Sequence, residues 1–507
     1  MSKIGNLMQK LIMSNPSRAL KFFSSRSIEW WKSQGNKKSL EAFYQASSFV
    51  PAYKDFLIKN GIKDYRKIET IDDFKKYVPI MTKENYILKY ELKERTIIPF
   101  GKFFLISSTS GTTGEPIIWP MGFRGHKMGI SFIELLFRNT FQIHKKSTLG
   151  IICYSLGNWG AGQFMTLAFE MMHQKKDLDF TTATPGSNLE DAIFVCKKLL
   201  SSYGQIILAG YPSFIKMLVE YGIKIGIEWE KHDIKICLGG EAASSRYLNV
   251  MRNLLKKNSN DISFIFDIYA NSDVGGLTGL GDALVNQVRL NLFRNEELLK
   301  ALTGGDGSLE QAVPLMRFVE INNSTITVTF SGPVPVIRYD TKDIGKIIDF
   351  DAIFEFFNKH NINLVEQVLK ENPEYKFLKL PFLYIKGREN AISLDGANIY
   401  PDNLISVIDK LPEIYSFKIS KREDENGNYK FFIFLELKDG ININSNIAQQ
   451  IDNKYHSLIV EGLKQQNPDY RRSLDDNPKL CNPKIIVREF QKEEFKISKT
   501  SKIKLVI

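Results

Sequence analysis

The segment Ser107-Ser108-Thr109-Ser110-Gly111-Thr112-Thr113-Gly114-Glu115-Pro116 concentrates groups that bind phosphate. Glycine lets a backbone turn tightly and bring its N–H groups close to a ligand. Hydroxyl donors reorient around phosphate oxygens. Residues Ser107, Ser108, Thr109, Ser110, Gly111, Thr112, Thr113 and Gly114 therefore suit a cradle for the β- and γ-phosphates of a nucleotide. The loop is not of the lysine-ended kind, because Glu115 and Pro116 stand where that motif needs Lys-Ser/Thr. A polar surface loop is the plainer alternative. The apolar run at 103–106 predicts a buried strand leading into it.

Four further segments carry groups able to do chemistry. Gly239-Gly240-Glu241-Ala242 follows a strand-like run at 234–238, and taken alone is an ordinary strand-to-loop turn. Tyr269-Ala270-Asn271-Ser272-Asp273 follows another at 262–268. It reads equally as a loop with Ser272 or Asp273 capping a helix. Arg338-Tyr339-Asp340-Thr341-Lys342-Asp343 follows the apolar 334–337. A carboxylate there can accept two hydrogen bonds at once; the alternative is a surface ion pair of Asp343 with Lys342 or Lys346. Finally, Gly387-Arg388-Glu389-Asn390 precedes Leu394-Asp395-Gly396-Ala397-Asn398-Ile399-Tyr400-Pro401, and the tail holds Lys496, Lys499, Lys502 and Lys504.

In this order the motifs resemble those of the adenylate-forming superfamily: acyl-CoA synthetases, luciferases and peptide-synthetase adenylation domains. The chain looks most like the phenylacetate–CoA ligase family, and the resemblance covers most of its length. It implies an ATP- and Mg²⁺-dependent ligase that makes an acyl-AMP from a small-molecule carboxylic acid. CoA is the implied acyl acceptor; an amine, a hydroxyl or a carrier protein is the alternative, and a non-catalytic nucleotide-binding protein of the same fold is the other. By resemblance, Gly240 and Glu241 line the adenine site, and Tyr269 lies against adenine. Asn271 and Ser272 belong to the same motif, whose hydroxyl contacts phosphate. Asp273 helps hold Mg²⁺, and Asp343 binds both ribose hydroxyls. Arg388 contacts ribose or phosphate. Lys502, with Lys499 as second candidate, enters the active site during adenylation; a cation there offsets the repulsion between carboxylate and α-phosphate. Several positions depart from the family pattern: Ala242 for proline, Asp273 for glutamate, Asn390 for the hinge acid, and Ser501 for the glycine before the lysine. The loop after Asn390 is also shorter by one residue. Tyr154, Trp159 and Phe164 fall where the family binds its acid, and aromatic residues there equally suit a core.

At 507 residues, with 43% hydrophobic and 25% charged content, the chain predicts a globular protein of two or more domains. The net charge of +11 suits anionic substrates. Basic residues are dispersed, so no nucleic-acid partner is expected. Cys153, Cys196, Cys237 and Cys481 are widely spaced and predict free thiols in a reducing compartment, which points to the cytoplasm. Ile4, Leu7, Met8, Leu11 and Ile12 fall at helical spacing. That face is expected to pack on its own domain, and a membrane surface is its alternative use.

The elements that must hold these groups form an α/β architecture. The first hundred residues read as helical, for instance at 28–49 and 71–77. Strands at 149–154, 205–209, 234–238 and 262–268 alternate with helices at 163–173 and 212–221, which predicts α/β layers with a mostly parallel sheet. A β-hairpin is predicted at 317–330, and one amphipathic helical stretch at 353–370. Beyond a boundary near 386–390 come a helix (401–410), two strands (415–420 and 429–437), a helix (445–463) and a strand (484–490). The expected division is a large N-terminal multi-layer α/β adenylating domain, 1–386, and a small mobile C-terminal α+β domain, 387–507.

Overall fold

The computed structural model describes residues 15–108, 117–271, 276–305, 307–388, 391–441, 445–495 and 506. The chain divides into two compact units, with the main break between Gly387 and Arg388.

The first unit is built on an 11-stranded sheet among the described residues, in the order β10-β11-β12-β13-β9-β8-β7-β6-β5-β3-β4. Its parallel half joins β3 (Thr148–Cys153), β4 (Phe180–Ala183), β5 (Gln205–Gly210), β6 (Ile234–Gly239) and β7 (Ile265–Asn271). β3 and β5 are buried at every position, as expected of strands covered on both faces. From β7 onward the sheet changes character. β8 (Gly276–Gly281) pairs antiparallel with β7 and with β9 (Ser308–Ala312), and β13 (Phe382–Arg388) pairs antiparallel with β9. The expectation of a mostly parallel sheet therefore holds for one half only. Parallel pairing needs long crossovers, and these stop at β7.

The predicted hairpin is present as β10 (Phe318–Asn322) and β11 (Thr325–Phe330). Its turn residues Asn323 and Ser324 both have positive φ, at 48° and 70°, which matches the right-handed twist of the strands they join. β12 (Val336–Ile348) then pairs with β11 across two register shifts.

Three sequence expectations are corrected. The strand before the phosphate loop is β1 (Leu105–Ser108), not buried: Phe104 and Ile106 are 39% and 48% exposed. It forms a two-stranded ribbon with β2 (Ile118–Met121) outside the main sheet, and its last residue, Ser108, also bridges to Trp159. The 262–268 strand is shifted toward the C-terminus, so Tyr269, Ala270 and Asn271 lie in β7 itself and not in a loop after it. The amphipathic stretch 353–370 is two helices, Phe350–Lys359 and Leu364–Glu371, broken at Asn361 with φ 58°. Their Phe350, Ile353, Phe357, Leu364 and Val368 share one core with Leu284 and Val288 of the Ala283–Arg294 helix.

The second unit has a hairpin of β14 (Ile392–Leu394) and β15 (Ala397–Ile399) and a three-stranded sheet. In that sheet β16 (Ile414–Glu423) is antiparallel to β17 (Tyr429–Leu437), which is parallel to β18 (Lys484–Arg488). Its own core includes Leu394, Ile399, Leu404, Ile433, Leu463 and Tyr470.

Candidate active site

Asp343 is the centre of the site. Its carboxylate Oδ2 accepts a hydrogen bond from the Tyr269 hydroxyl at 2.6 Å and one from Asn271 Nδ2 at 3.4 Å. Asp343 is 7% exposed. β7 and β12 are separated in the sheet by β8, β9 and β13, which in a flat sheet would put them about 19 Å apart at ~4.8 Å per strand. A 2.6 Å bond between them requires this half of the sheet to curl back on itself.

The sequence around Asp343 explains how it is aimed. Arg338 and Lys342 adopt positive φ, 48° and 63°, which is costly for non-glycine residues and must be held by surrounding bonds. Arg338 is held by its Nε to Glu320 Oε1 at 2.6 Å, by Nη1 to the Val78 carbonyl at 2.6 Å, and by its backbone N–H to Thr329 Oγ1 at 2.8 Å. Thr341 Oγ1 donates to the Ile326 carbonyl at 2.8 Å and receives the Asp343 N–H at 3.2 Å. The surface ion pair weighed as the alternative is absent among the described residues: Lys342 pairs with Asp340 at 3.1 Å, and Lys346 donates to the Leu302 carbonyl.

Beside β7, β6 ends at Gly239. A side chain on Gly239 would meet the Tyr154 hydroxyl at 3.1 Å and the Ile268 carbonyl at 3.2 Å. Gly240 then turns the chain with φ 81°, and Glu241 is buried.

Ser107 and Ser108, the described start of the segment expected to bind phosphate, are anchored in the fold. Ser108 donates its N–H to the Asn158 carbonyl at 3.0 Å and bridges to Trp159, and Ser107 is 4% exposed. Trp159 directly precedes the Gly160–His173 helix. Tyr154, at the end of β3, is buried with its hydroxyl 3.5 Å from the Cys237 carbonyl. Phe164 packs against His126, ring centroids 4.9 Å apart. Burial pushes the His126 imidazole down to about 4, so it is neutral at physiological pH. Sequence reading missed His126, which no motif marks. It also missed Asp267 of β7, although an acid inside the apolar run 262–268 was a visible signal.

Thr109, Ser110, Gly111, Thr112, Thr113, Gly114, Ser272, Asp273, Asn390, Lys499 and Lys502 lie outside the described residues. Arg388 ends β13 and donates from Nη1 to the Tyr400 hydroxyl. Among the described residues no group of three metal-ligating side chains could hold an ion by itself, and no helix is long and apolar enough to cross a membrane. All four cysteines are buried free thiols.

The mixed sheet belongs to a fold that is shared with solved structures of a CoA ligase. No family model and no curated protein sequence matches the chain. Among solved structures it is similar to 2-hydroxyisobutyryl-CoA ligase. With that enzyme in complex with 2-HIB-AMP and CoA in the thioesterification state the TM-score is 0.61 at 13% identity, over 96% of this chain and 90% of the other. With its postadenylation state in complex with 2-HIB-AMP the TM-score is 0.54 at 12% identity, over 95% and 90%. At such identity it is the fold that is shared.

Proposed function

We propose that the protein activates a carboxylic acid with ATP, giving an acyl-AMP and pyrophosphate, and then transfers the acyl group to the thiol of CoA. The observation that carries this is the Tyr269–Asn271–Asp343 cluster. Residues from two separate sequence motifs, Tyr269 and Asn271 from one and Asp343 from the other, meet at one buried carboxylate. Tyr269 and Asn271 both donate to one oxygen of the Asp343 carboxylate, and a carboxylate is the group able to accept from two ribose hydroxyls at once. ATP therefore fits the residues present. The loop 107–114 would hold the departing phosphates and Lys502 the developing charge. Mg²⁺, when bound with ATP, would neutralise phosphate charge, with Asp273 its expected protein carboxylate. An acyl-AMP stores the energy of ATP in a mixed anhydride with a good leaving group. The solved neighbour is named as a CoA ligase bound to an acyl-AMP and CoA, which agrees with this reading.

Kinship closest to the phenylacetate–CoA ligases rests on the order of the motifs. The acceptor has a second reading. Asn390 stands where the hinge acid is expected, and the following loop is short, so an amine, a hydroxyl or a carrier protein could replace CoA. ATP–pyrophosphate exchange against aryl, aliphatic and amino acids tests the first step. Exchange with one acid class, abolished by Asp343→Ala, supports the reading. ATP binding without exchange for any acid would sink it. Acyl-AMP formation without CoA turnover would select the second acceptor reading.

A further inference from the structure

A buried charge cluster lies beside Tyr269, two residues away along β7, and acid activation itself does not use it. Arg289, on the Ala283–Arg294 helix, is 1% exposed at its side chain. Its Nη1 donates to Asp267 Oδ2 at 3.0 Å, and its Nη2 donates to the Ala243 carbonyl. Asp267 Oδ1 accepts the Ile268 N–H at 3.0 Å. Asp267 stands two residues before Tyr269 on β7, and Ala243 two residues after Glu241. One guanidinium thus joins the segment after β6 to the strand that presents Tyr269. Glu310, on the neighbouring β9, is buried, accepts from the Ser308 hydroxyl and lies within reach of the charges of Asp267 and Arg289.

Glycines on the strand between make room for these groups. A side chain on Gly281 would come within 3.0 Å of Asp267 Cβ. One on Gly279 would lie 3.0 Å from Glu310 Cβ and 3.4 Å from Tyr269 Cβ. Two buried atoms of the cluster have no hydrogen-bond partner among the described residues: Arg289 Nε and Glu310 Oε2. Burial first, then the Asp267 charge, pushes Glu310 up to about 8, with Ser308 and Arg289 opposing. Asp267 and Arg289 are the charged groups acting on it.

We propose that Arg289 is a positioning residue for the nucleotide, and that the protonation state of Glu310 gates it. This rests on the reading that the 240–243 segment and Tyr269 hold ATP. With Glu310 neutral, the guanidinium stays on Asp267 and Ala243, and the segment is fixed against Tyr269. When Glu310 loses its proton to solvent, the cluster holds two carboxylates and one cation. The unmet Arg289 Nε is the donor at hand, so the guanidinium turns toward Glu310 and slackens on Ala243. ATP then binds more weakly.

The test is calorimetric binding of ATP to the full chain between pH 6.5 and 9, comparing wild type with Glu310→Gln and Arg289→Lys. Taking the ratio of wild-type to variant Kd at each pH cancels the titration of ATP itself. The wild-type to Glu310→Gln ratio should be near one at pH 6.5 and rise about fivefold by pH 9, a coupling of ordinary size. Arg289→Lys should weaken ATP at every pH, because an ammonium cannot hold Asp267 and Ala243 in one planar fork. A Glu310→Gln ratio flat across pH, with ATP still bound, overturns the gate and leaves the proposed function standing. Arg289→Lys binding ATP like wild type overturns the positioning role. Absence of ATP binding by wild type at any pH overturns both this inference and the nucleotide reading. Should Arg289→Lys fail to fold, the neutral and near-isosteric Glu310→Gln decides the proposal alone.

Discussion

Asp343 and its two donors form the part of the site in which a single atom can be expected to matter. Tyr269→Phe removes the hydroxyl 2.6 Å from Asp343 and leaves the ring in place. A hydrogen bond to a charged group contributes about 1.5–3 kcal/mol. The variant should therefore melt at a lower temperature, and its ATP affinity should fall by about tenfold as the Asp343 carboxylate loses its anchor. Asp343→Asn keeps the shape and turns an acceptor into a mixed donor, so it should weaken ATP further, read by the same titration. Equal ATP affinity in wild type and both variants would remove the cluster from the nucleotide site. These residue types were readable in the sequence, because each sits in a motif with a known spacing. Their convergence was not, since Asn271 and Asp343 are 72 positions apart. Arg338 shows a further limit of reading residues singly: its fork to Glu320 and Val78 depends on elements distant in the chain.

At the scale of elements, glycines decide how closely pieces approach. Gly162 lies in the first turns of the Gly160–His173 helix, and an added Cβ would come within 2.2 Å of the Ser155 carbonyl oxygen. In an exposed helix interior, Gly→Ala gains about 1 kcal/mol. Here the clash is with backbone, which cannot rotate away, so Gly162→Ala should destabilise by about 2 kcal/mol or more. Chemical denaturation measures this, and a stabilised variant would contradict the packing. The helix bounds themselves were legible to within a few residues, because periodicity and caps are local signals. The capping box of Thr70 and Asp73 at the Ile71–Tyr77 helix is an example. Strand partners were less legible. The run 103–106 is as apolar as a core strand, yet it lies in a two-stranded ribbon with Phe104 and Ile106 exposed.

For the whole molecule, the buried carboxyl sets a pH dependence of stability. Glu310 is raised from the ordinary carboxylate range to about 8. The folded state therefore holds a proton that the unfolded state has released, and stability falls as pH rises toward 8. His126, lowered to about 4, acts oppositely but only below the ordinary imidazole range. Burial also raises the Asp267 carboxyl beside Glu310, so between pH 6.5 and 8 the pair should lower stability as pH rises, by on the order of 2 kcal/mol. Glu310→Gln should flatten that interval in denaturation curves; an unchanged slope would place the proton elsewhere. The second unit carries its own core, so a fragment starting at Arg388 should unfold cooperatively when expressed alone. Non-cooperative melting of that fragment would show that its core is not self-sufficient. The four buried thiols, with burial pushing Cys196 to about 12, should react with a thiol reagent only on unfolding.

By itself the sequence determined the kinds of chemistry available and the local elements: a hydroxyl- and glycine-rich loop, the motif carboxylates, the 317–330 hairpin and the main helices. These depend on residue type and spacing within about a dozen positions. Tertiary structure alone decided that the sheet is parallel in one half and curls in the other, bringing Tyr269 to Asp343. It also decided that Arg289, Asp267 and Glu310 are buried close together beside Tyr269. The physical reason is that such contacts join residues dozens of positions apart. Their strength comes from burial and geometry, and no short stretch of chain encodes either.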